Sequence, residues 1–324
     1  MSVVAEKVCI LVIIYGKELV DSTTLSSLLK FDCSLFDLVV INNGPEALSD
    51  RDFFYHDLSA SFRSFELLNK TENMPLSIAY NSFIDSHSNA QKYVFLDDDT
   101  EVTESFIYRL ADTGASFDVE VPKIVATDGS LESGSVQYPV EDGVPVVEIR
   151  TVNAGTVFSI GSGLVLTHKF IEKFRTACVP VFDNHYALYG VDYSLFRNVR
   201  KLLAKGVPFT FTSFSSITHS LSRLQKGTLS EHTKRERLYD IILSARHYPD
   251  KSYIKGLIKS LVHASLRLDF SLVVHIISTF VKGLVLTHKF IEKFRTACVP
   301  VFDNHYALYG VDYSLFRNVR KLLA

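Results

Sequence analysis

The feature of this sequence that most restricts its fold is the alternation, through roughly its first hundred residues, of short Val-, Ile- and Leu-rich runs with segments of helical periodicity. Strands are predicted at 8–15, 38–41, 64–68 and 93–96, and helices at 22–29 and 76–84. Parallel strands need crossover connections, so this alternation predicts an α/β chain whose mostly parallel sheet has helices on both faces. Ligands bind such sheets at the carboxyl ends of the strands, where the following residues fall: Tyr15, Asn42, Asp97, Asp98 and Asp99.

The second half of the chain is strand-rich at first and helical later. Short strands with Gly and Pro between them are predicted over 117–166, followed by helices at 169–176 and 192–203 and a strand at 208–214. Beyond residue 221 the pattern is helical, and its most apolar part, 270–281, is too short to span a bilayer. We therefore predict an α/β domain at 1–225 and a helical extension at 226–282.

An exact internal repeat occupies the end of the chain. Residues 163–204 recur letter for letter as 283–324, which is 42 identical positions. Solenoid repeats keep only their packing positions alike, because exposed positions tolerate change. Identity throughout indicates a recent duplication or an assembly error. The second copy lacks the strand that follows the first, so we expect it to be an appendage.

The composition excludes several classes of protein. With 47% hydrophobic and 22% charged residues, the chain is typical of a globular protein with a large core. The net charge of -2 gives no sign of nucleic-acid binding, although residues 221–260 carry nine Lys and Arg against four acids. The four cysteines show no metal-ligand spacing, and the first residues lack the order of a signal peptide. We therefore expect a cytosolic protein with reduced thiols.

The carboxylate triplet after the strand at 93–96 is the sharpest local signal. Two unit charges about 4 Å apart repel by ~1 kcal/mol in water and by ~4 kcal/mol near a protein surface, so the cluster favours a bound cation. Oxygen ligands suit Mg²⁺ or Mn²⁺, and a solvated acidic turn is the alternative. A Walker B strand would need a GxxxxGK[ST] loop, which the chain lacks. A haloacid-dehalogenase-type site would need Thr or Val where Glu101 stands.

Two polar residues further along invite either a functional or a structural interpretation. Asp192 opens the predicted helix at 192–203, where it could simply be the N-cap. His219 follows the predicted strand at 208–214, and a lone His is more often structural than catalytic. Arg197 and Arg200 lie on the helix that Asp192 opens, and could assist phosphates or be exposed cations.

Taken in order, five segments resemble a family 2 nucleotide-sugar glycosyltransferase of the GT-A fold. VCILVIIYGKELVDSTTLSSLL is similar to that family's first strand and helix, and DLVVINNGP to its second strand and turn. ENMPLSIAYNSFI resembles its Asn-containing loop, YVFLDDDTEV its DxD strand, and YGVDYSLFRNV its acceptor-site segment. The resemblance covers residues 7–245 and implies a Rossmann-like GT-A domain followed by a C-terminal helical extension.

The resemblance also implies roles for individual residues. Asp192 would be the general base, and Asp99 and His219 would be metal ligands. The nucleotide sugar would be bound by Tyr15, Asn42, Asn81, Asp97 and Asp98.

Two positions depart from the family's pattern. The Asn that is common after the first strand is Gly16 here, and the acidic residue that often meets the base is Asn42. The side-chain oxygen of Asn42 can still accept a hydrogen bond from N3–H of uracil or thymine. The donor is therefore expected to be a UDP- or dTDP-linked sugar.

The function implied by the resemblance is that of a metal-dependent inverting glycosyltransferase of the hexosyl- or deoxyhexosyltransferase class, using Mg²⁺ or Mn²⁺. Its acceptor would be a glycan or a lipid-linked glycan in bacterial surface-polysaccharide assembly. One alternative is a nucleotidyltransferase on a similar sheet, which would release pyrophosphate. The other is a glycan- or nucleotide-binding module without catalytic activity.

The extension has two interpretations of its own. Its basic stretch and the apolar segment 270–281 could lie on the anionic inner face of a membrane, which would suit a lipid-linked acceptor. They could equally form a packed pair of helices. The expected location is the cytoplasm, with peripheral membrane contact in the first case.

Overall fold

The structure of the chain is a computed structural model that describes residues 6–51, 53–114, 116–127, 134–220 and 231–283. The predicted boundary at residue 225 and all but the first residue of the repeat at 283–324 lie outside the described residues. Both predictions therefore stay predictions.

Fourteen strands are present in the described part of the chain: β1 (Val8–Ile14), β2 (Phe36–Asn42), β3 (Ser64–Asn69), β4 (Lys92–Asp97), β5 (Thr100–Val102), β6 (Val119–Glu120), β7 (Lys123–Ala126), β8 (Val136–Tyr138), β9 (Val140–Glu141), β10 (Val144–Pro145), β11 (Arg150–Val152), β12 (Val165–Thr167), β13 (Phe211–Ser213) and β14 (Ser216–His219). The helices within the same residues are α1 (Thr23–Leu28), α2 (Phe53–Ser61), α3 (Leu76–Ser86), α4 (Glu104–Ala111), α5 (His168–Thr176), α6 (Val191–Leu203), α7 (Glu231–His247), α8 (Lys251–Leu266) and α9 (Phe270–Lys282).

The central sheet has eight strands in the order β11-β13-β6-β12-β4-β1-β2-β3. Strands β4, β1, β2 and β3 are parallel to their neighbours within this group, whereas β12 and β11 are antiparallel to theirs. All seven residues of β1 are buried, as expected for a strand covered on both faces.

Helices cover both faces of this sheet, as predicted. Cys9, Leu11 and Ile13 pack in one buried cluster with residues of α3, α5 and α6. Val8, Ile10 and the other alternate residues of β1 pack in a second cluster with residues of α1, α2 and α4. The predicted α/β class and mostly parallel sheet are confirmed.

A smaller sheet has the strand order β5-β14-β7-β8. In it β5, which follows the triplet, pairs with β14, which lies far along the chain. The strand predicted at 208–214 is the shorter β13, and the chain then passes into the smaller sheet, where a strand that was not predicted, β14, carries His219. The cause is Glu120, a fully buried residue whose Oε1 accepts hydrogen bonds from the backbone N–H groups of Phe214 and Ser215, at 2.7 and 2.9 Å. These bonds fix the turn that carries the chain from one sheet to the other.

The extension contains three packed helices rather than a pair. Helices α7, α8 and α9 meet around Ile242, Ala264 and Ile276. Leu243 of α7 also joins the large cluster beneath the sheet, and the Tyr248 hydroxyl donates to Asp183 at 2.7 Å. The extension therefore packs directly on the α/β core. Among the helices described here, none is long and apolar enough to cross a membrane.

Candidate active site

The strand register brings the predicted site residues to one edge of the central sheet. Ile14 pairs with Asn42, and Ile13 pairs with Asp97, so the carboxyl ends of β1, β2 and β4 lie side by side. Tyr15 follows β1 at this edge and is 55% exposed. The edge thus combines an open surface with the start of the carboxylate triplet.

Asp97, Asp99 and His219 come together there as a group that could hold a metal ion. One potential ligand atom from each lies within 4.8 Å of the others. His219 Nδ1 lies 3.2 Å from Asp99 Oδ1, and His219 Nε2 lies 3.9 Å from Asp97 Oδ2. His219 is on β14 and pairs with Thr100 on β5, so a strand pair spanning 119 positions of sequence places the imidazole beside the triplet.

The side chains of Asp97, Asp99 and His219 are surrounded by hydroxyl groups that fix their positions. The Thr100 hydroxyl lies 2.9 Å from His219 Nδ1 and 2.6 Å from the Ser162 hydroxyl, which accepts the backbone N–H of Asp97 at 3.0 Å. Asp99 Oδ2 accepts a hydrogen bond from Ser220 at 2.5 Å. Two carboxylates and one imidazole form a donor set that could hold a divalent metal ion.

Asp98 points to a different partner. Its carboxylate forms an ion pair with Lys17 at 3.1 Å, while its backbone carbonyl accepts from Ser22 and from the N–H of Thr24. Burial raises the pKa of Asp98, and Lys17 opposes that rise. The structure therefore places Asp98 and Lys17 together, next to the turn that follows β1.

The electrostatics of Asp97 favour a cation. Loss of hydration raises its pKa to about 6, the nearby imidazole of His219 opposes the rise, and the charges of Asp99 and Asp98 add to it. A divalent cation at this position would favour the ionised carboxylate and so lower the pKa again. These side chains thus carry an excess of negative charge that a metal ion would offset.

Asp192 lies in the first turn of α6 but is not its N-cap. The N-cap is Gly190, whose φ of 89° lies in the left-handed region. A Cβ atom at Gly190 would fall 2.5 Å from the Tyr186 ring, so only glycine fits there. The structural interpretation of Asp192 as the N-cap is therefore wrong, and its carboxylate is available for a functional role.

That carboxylate sits close to the triplet and is bound by a neighbouring loop. The backbone N–H of Gly161 donates to it, and a Cβ atom at Gly161 would fall 2.5 Å from Asp192 Oδ1. Burial and the charge of Asp97 raise the pKa of Asp192 to about 7. Burial raises the pKa of Tyr80, which is 2% exposed, and the charges of Asp97 and Asp192 add to the rise, so Tyr80 lies near both carboxylates. A carboxyl group with such a pKa can accept or release a proton near neutral pH.

Two predicted sugar-nucleotide ligands have their side chains engaged within the protein. Asn42 is 1% exposed; its Oδ1 accepts the Gly44 N–H at 3.0 Å, and its Nδ2 donates to Asn69 Oδ1 at 2.7 Å. Asn81 donates to the Phe182 carbonyl at 2.7 Å and accepts its N–H at 3.2 Å. In the structure Asn42 shapes the turn after β2, and Asn81 ties α3 to the loop before α6.

Neither arginine of α6 has the environment expected for it. Arg197 is 9% exposed; it donates to the hydroxyls of Tyr186 and Tyr253 and contacts four tyrosine rings. Arg200 donates to the carbonyls of Gly155, at 2.8 Å, and Val157. Neither is an exposed cation, because Arg197 is buried between α6 and the extension and Arg200 is half-buried against the segment before β12. A contact of either side chain with phosphates stays a prediction.

The departure at Gly16 has a conformational explanation. Its φ is 64°, in the left-handed region that Gly adopts freely and Asn tolerates better than most residues. A Cβ atom at Gly44 would fall 2.6 Å from the Gly16 nitrogen, so the turns after β1 and β2 approach closely. A Gly in place of the Asn is therefore compatible with the same backbone.

Sequence comparisons do not identify the chain: no protein-family model matches it, and no curated protein matches it. Solved structures do match. GalNAc-T7, crystallised with UDP, GalNAc and Mn²⁺, has a TM-score of 0.50 and 13% identity over 81% of this chain and 51% of its own, so this chain spans about half of that structure. TarS 1–349 from S. aureus, in complex with UDP-GlcNAc, has a TM-score of 0.50 and 11% identity over 87% of this chain and 93% of its own. Both are GT-A glycosyltransferases.

The chain has the GT-A fold. Within it, several residues of the site were missed by the sequence analysis. Lys17 and Ser162 contact the triplet, Thr100 contacts His219, and Gly161 contacts Asp192. Lys17 and Thr100 fall inside the segments that carry the resemblance but were given no role, and nothing local marks Ser162 or Gly161.

The extension also reaches the GT-A site. Asp240 on α7 lies beside Gly190, where a Cβ atom would be 2.6 Å from Asp240 Oδ1, and its charge adds to the raised pKa of Asp192. Ser244 donates to the same oxygen at 2.9 Å and lies 3.1 Å from the Tyr186 hydroxyl. Helix α7 therefore contributes to the environment of Asp192.

Proposed function

We propose that this protein is a metal-dependent glycosyltransferase that moves a sugar from a nucleoside-diphosphate sugar to a glycan acceptor. The observation that carries the proposal is the grouping of Asp97, Asp99 and His219 next to Asp192, at the carboxyl edge of a GT-A sheet. The fold is that of proteins crystallised with UDP and UDP-GlcNAc. The metal group and a titratable carboxylate are the two components that such a transfer needs.

In this proposal Asp97, Asp99 and His219 would hold Mn²⁺ or Mg²⁺, which when bound would offset the charge that grows on the diphosphate leaving group. The Thr100 hydroxyl lies 2.9 Å from Nδ1 of His219 and orients the imidazole, whose Nε2 faces Asp97 at 3.9 Å from Oδ2. Lys17 lies at the same edge and supplies a positive charge near the phosphates.

Asp192 would act as the general base. Its carboxylate takes the proton of the acceptor hydroxyl while the hydroxyl oxygen bonds to the anomeric carbon and the bond to the diphosphate oxygen breaks. The Gly161 N–H orients the carboxylate. A single displacement from the face opposite the leaving group inverts the anomeric centre, so we propose an inverting reaction.

The donor proposed here is UDP-linked rather than dTDP-linked, because the structural neighbours are described with UDP and UDP-GlcNAc. Recognition of the base by Asn42 would need its bonds to Gly44 and Asn69 to be rearranged. Tyr15 is exposed at the same edge and is the better candidate for contact with the base.

We also propose a cytoplasmic protein that contacts the membrane peripherally and acts on a glycan or lipid-linked glycan of the bacterial surface. The free thiols Cys9 and Cys33 are buried, which is consistent with a reducing compartment. The sugar, whether hexosyl or deoxyhexosyl, is to be found by experiment.

The test is a panel of UDP- and dTDP-sugars, incubated with the protein, Mn²⁺ and glycan acceptors. Release of nucleoside diphosphate with formation of an inverted glycoside, detected by chromatography and NMR, is expected. Release of pyrophosphate would instead identify a nucleotidyltransferase. Binding of UDP-sugar by calorimetry, without turnover on any acceptor and with no change in Asp192→Asn, would indicate a binding module.

A further inference from the structure

The outward face of helix α8 is apolar where the surface of a soluble helix is usually polar. Its inward face, including Leu257, Leu261 and Ala264, packs on α7 and α9. At four-residue intervals on the other face lie the following residues, 44–80% exposed: Ile254, Ile258, Val262 and Leu266. A four-residue interval keeps side chains on one face of a helix, so these residues form a continuous apolar stripe.

The stripe continues into the turn between α8 and α9. Leu266, Leu268 and Phe270 are 80%, 73% and 69% exposed, among the highest values for apolar residues in the described chain. The turn is defined by hydrogen bonds: Asp269 caps α9 by accepting the Leu272 N–H at 2.9 Å. Leu268 has a φ of 55°, an uncommon conformation for Leu, and its side chain is presented to solvent. We call Leu266, Leu268 and Phe270 the apolar tip.

Positive charge accompanies the stripe. Lys251, Lys255 and Lys259 occur at the same four-residue interval on α8, each exposed and, for the last two, directly after Ile254 and Ile258. Arg267 lies within the tip and is also exposed. Between residues 251 and 282 the one acid is Asp269, whose carboxylate is engaged in capping α9.

We propose that the outward face of α8 and the apolar tip dock on an anionic lipid bilayer. A helix face that combines exposed branched aliphatic side chains with a row of lysines has the amphipathic character of peripheral membrane helices. The apolar side chains enter the acyl boundary while the lysines reach the anionic headgroups.

The positive charge of this face favours an anionic bilayer, rather than a second copy of the chain, as its partner. In a two-fold symmetric dimer the same patch occurs on both sides of the interface, so the lysine rows of two copies would face one another and repel. An anionic bilayer instead complements every one of these cations. The inference rests on the membrane contact in the proposed function and assigns that contact to the outward face of α8 and the apolar tip. It does not depend on sugar transfer.

The experiment is co-sedimentation of the full chain with phosphatidylcholine vesicles and with vesicles containing phosphatidylglycerol at about 30%. Binding to the anionic vesicles is expected, with much weaker binding to the neutral ones and a loss of binding at high salt. The double variant Leu266→Ser, Phe270→Ser should bind at least tenfold more weakly. Lys255→Gln with Lys259→Gln should weaken binding by about fivefold per lysine at low salt.

The matched control is Tyr108→Ser, which removes an equally exposed apolar side chain from α4 of the sheet domain and should leave vesicle binding unchanged. Circular dichroism establishes that each variant is folded. Failure to bind anionic vesicles, or equal binding by all variants, would overturn the proposal. So would a concentration-dependent dimer, seen by analytical ultracentrifugation without lipid, that the tip variant dissociates. Thermal stabilisation by UDP and Mn²⁺, measured on the same samples, tests the proposed function separately.

Discussion

Replacing Asp192 by Asn removes a carboxylate whose pKa is raised to about 7 from an ordinary value of 3.8 while preserving its size and one acceptor oxygen. At pH 8 this group is ionised in both the folded and the unfolded protein. The folded protein then holds a carboxylate that burial and Asp97 disfavour. The substitution relieves that cost, so the variant should be more stable than the wild type even as it loses activity.

The magnitude follows from the size of the pKa shift. Each pKa unit corresponds to about 1.4 kcal/mol, so a shift of roughly three units costs the folded state up to about 4 kcal/mol at pH 8. Between the two pKa values the folded protein binds a proton that the unfolded chain releases, so wild-type stability falls as the pH rises from about 4 to about 7. At pH 5 the difference between variant and wild type should therefore shrink to roughly 1.5 kcal/mol.

The measurement is urea unfolding of wild type and Asp192→Asn at pH 5 and pH 8, in metal-free buffer, because a cation near Asp97 would reduce the repulsion. Asp312→Asn is a matched control, since Asp312 has the same local sequence in the repeat. We expect that variant to change neither the free energy of unfolding nor turnover. Asp192→Asn should lower turnover by roughly 10² or more, the scale of general-base catalysis.

Two results would refute this reasoning. If Asp192→Asn is no more stable than wild type at pH 8, the carboxylate is not held in a disfavoured ionised state. If turnover is unchanged by Asp192→Asn but falls in Asp312→Asn, the second copy of the repeat carries the base. Equal partial losses in both would mean that the two copies exchange in the fold.

Three further predictions concern the metal group, the contact between Gly161 and Asp192, and the terminal repeat. Asp99→Asn keeps the side-chain shape but removes a ligand charge, so Mn²⁺ binding by calorimetry and turnover should both collapse, and full wild-type activity in excess chelator would contradict a metal-dependent reaction. Gly161→Ala should reduce turnover at least tenfold because its Cβ atom would fall 2.5 Å from Asp192 Oδ1, whereas Gly114→Ala, with its nearest contact at 3.5 Å, should not. Deleting residues 284–324 should leave the thermal unfolding midpoint and turnover nearly unchanged, and an insoluble product would show that the repeat is structural.

Much of the fold could be predicted from the sequence because it depends on local patterns. The strands β1, β2 and β4 are apolar runs buried on both sides, and their ends are marked by polar residues within one or two positions of the predicted boundaries. Parallel pairing then brings those ends to one edge, so the location of the triplet followed from the pattern alone.

The partners of the triplet were decided by tertiary structure. His219 reaches Asp99 because β14 pairs with β5, and β14 exists as a separate strand because the distant carboxylate of Glu120 fixes the turn before it. Contacts between residues 94 or more positions apart leave no periodicity in the sequence. Gly161 and Asp192 are closer in the chain, but they meet through a loop and a helix end, which leave no periodicity either.

The exact repeat shows this limit within one chain. Gly163 and Gly283 begin identical segments, yet Gly163 precedes strand β12 with its Cβ position against Pro122 and Ile217, whereas Gly283 ends helix α9 against Arg246. Both have positive φ, which is what glycine itself permits. The sequence by itself determined that both glycines can adopt a positive φ. It also determined that the triplet lies at the carboxyl edge of the central sheet. Packing against residues elsewhere in the chain decided that Gly163 leads into a strand and that Gly283 ends a helix, because buried contacts outweigh local propensity.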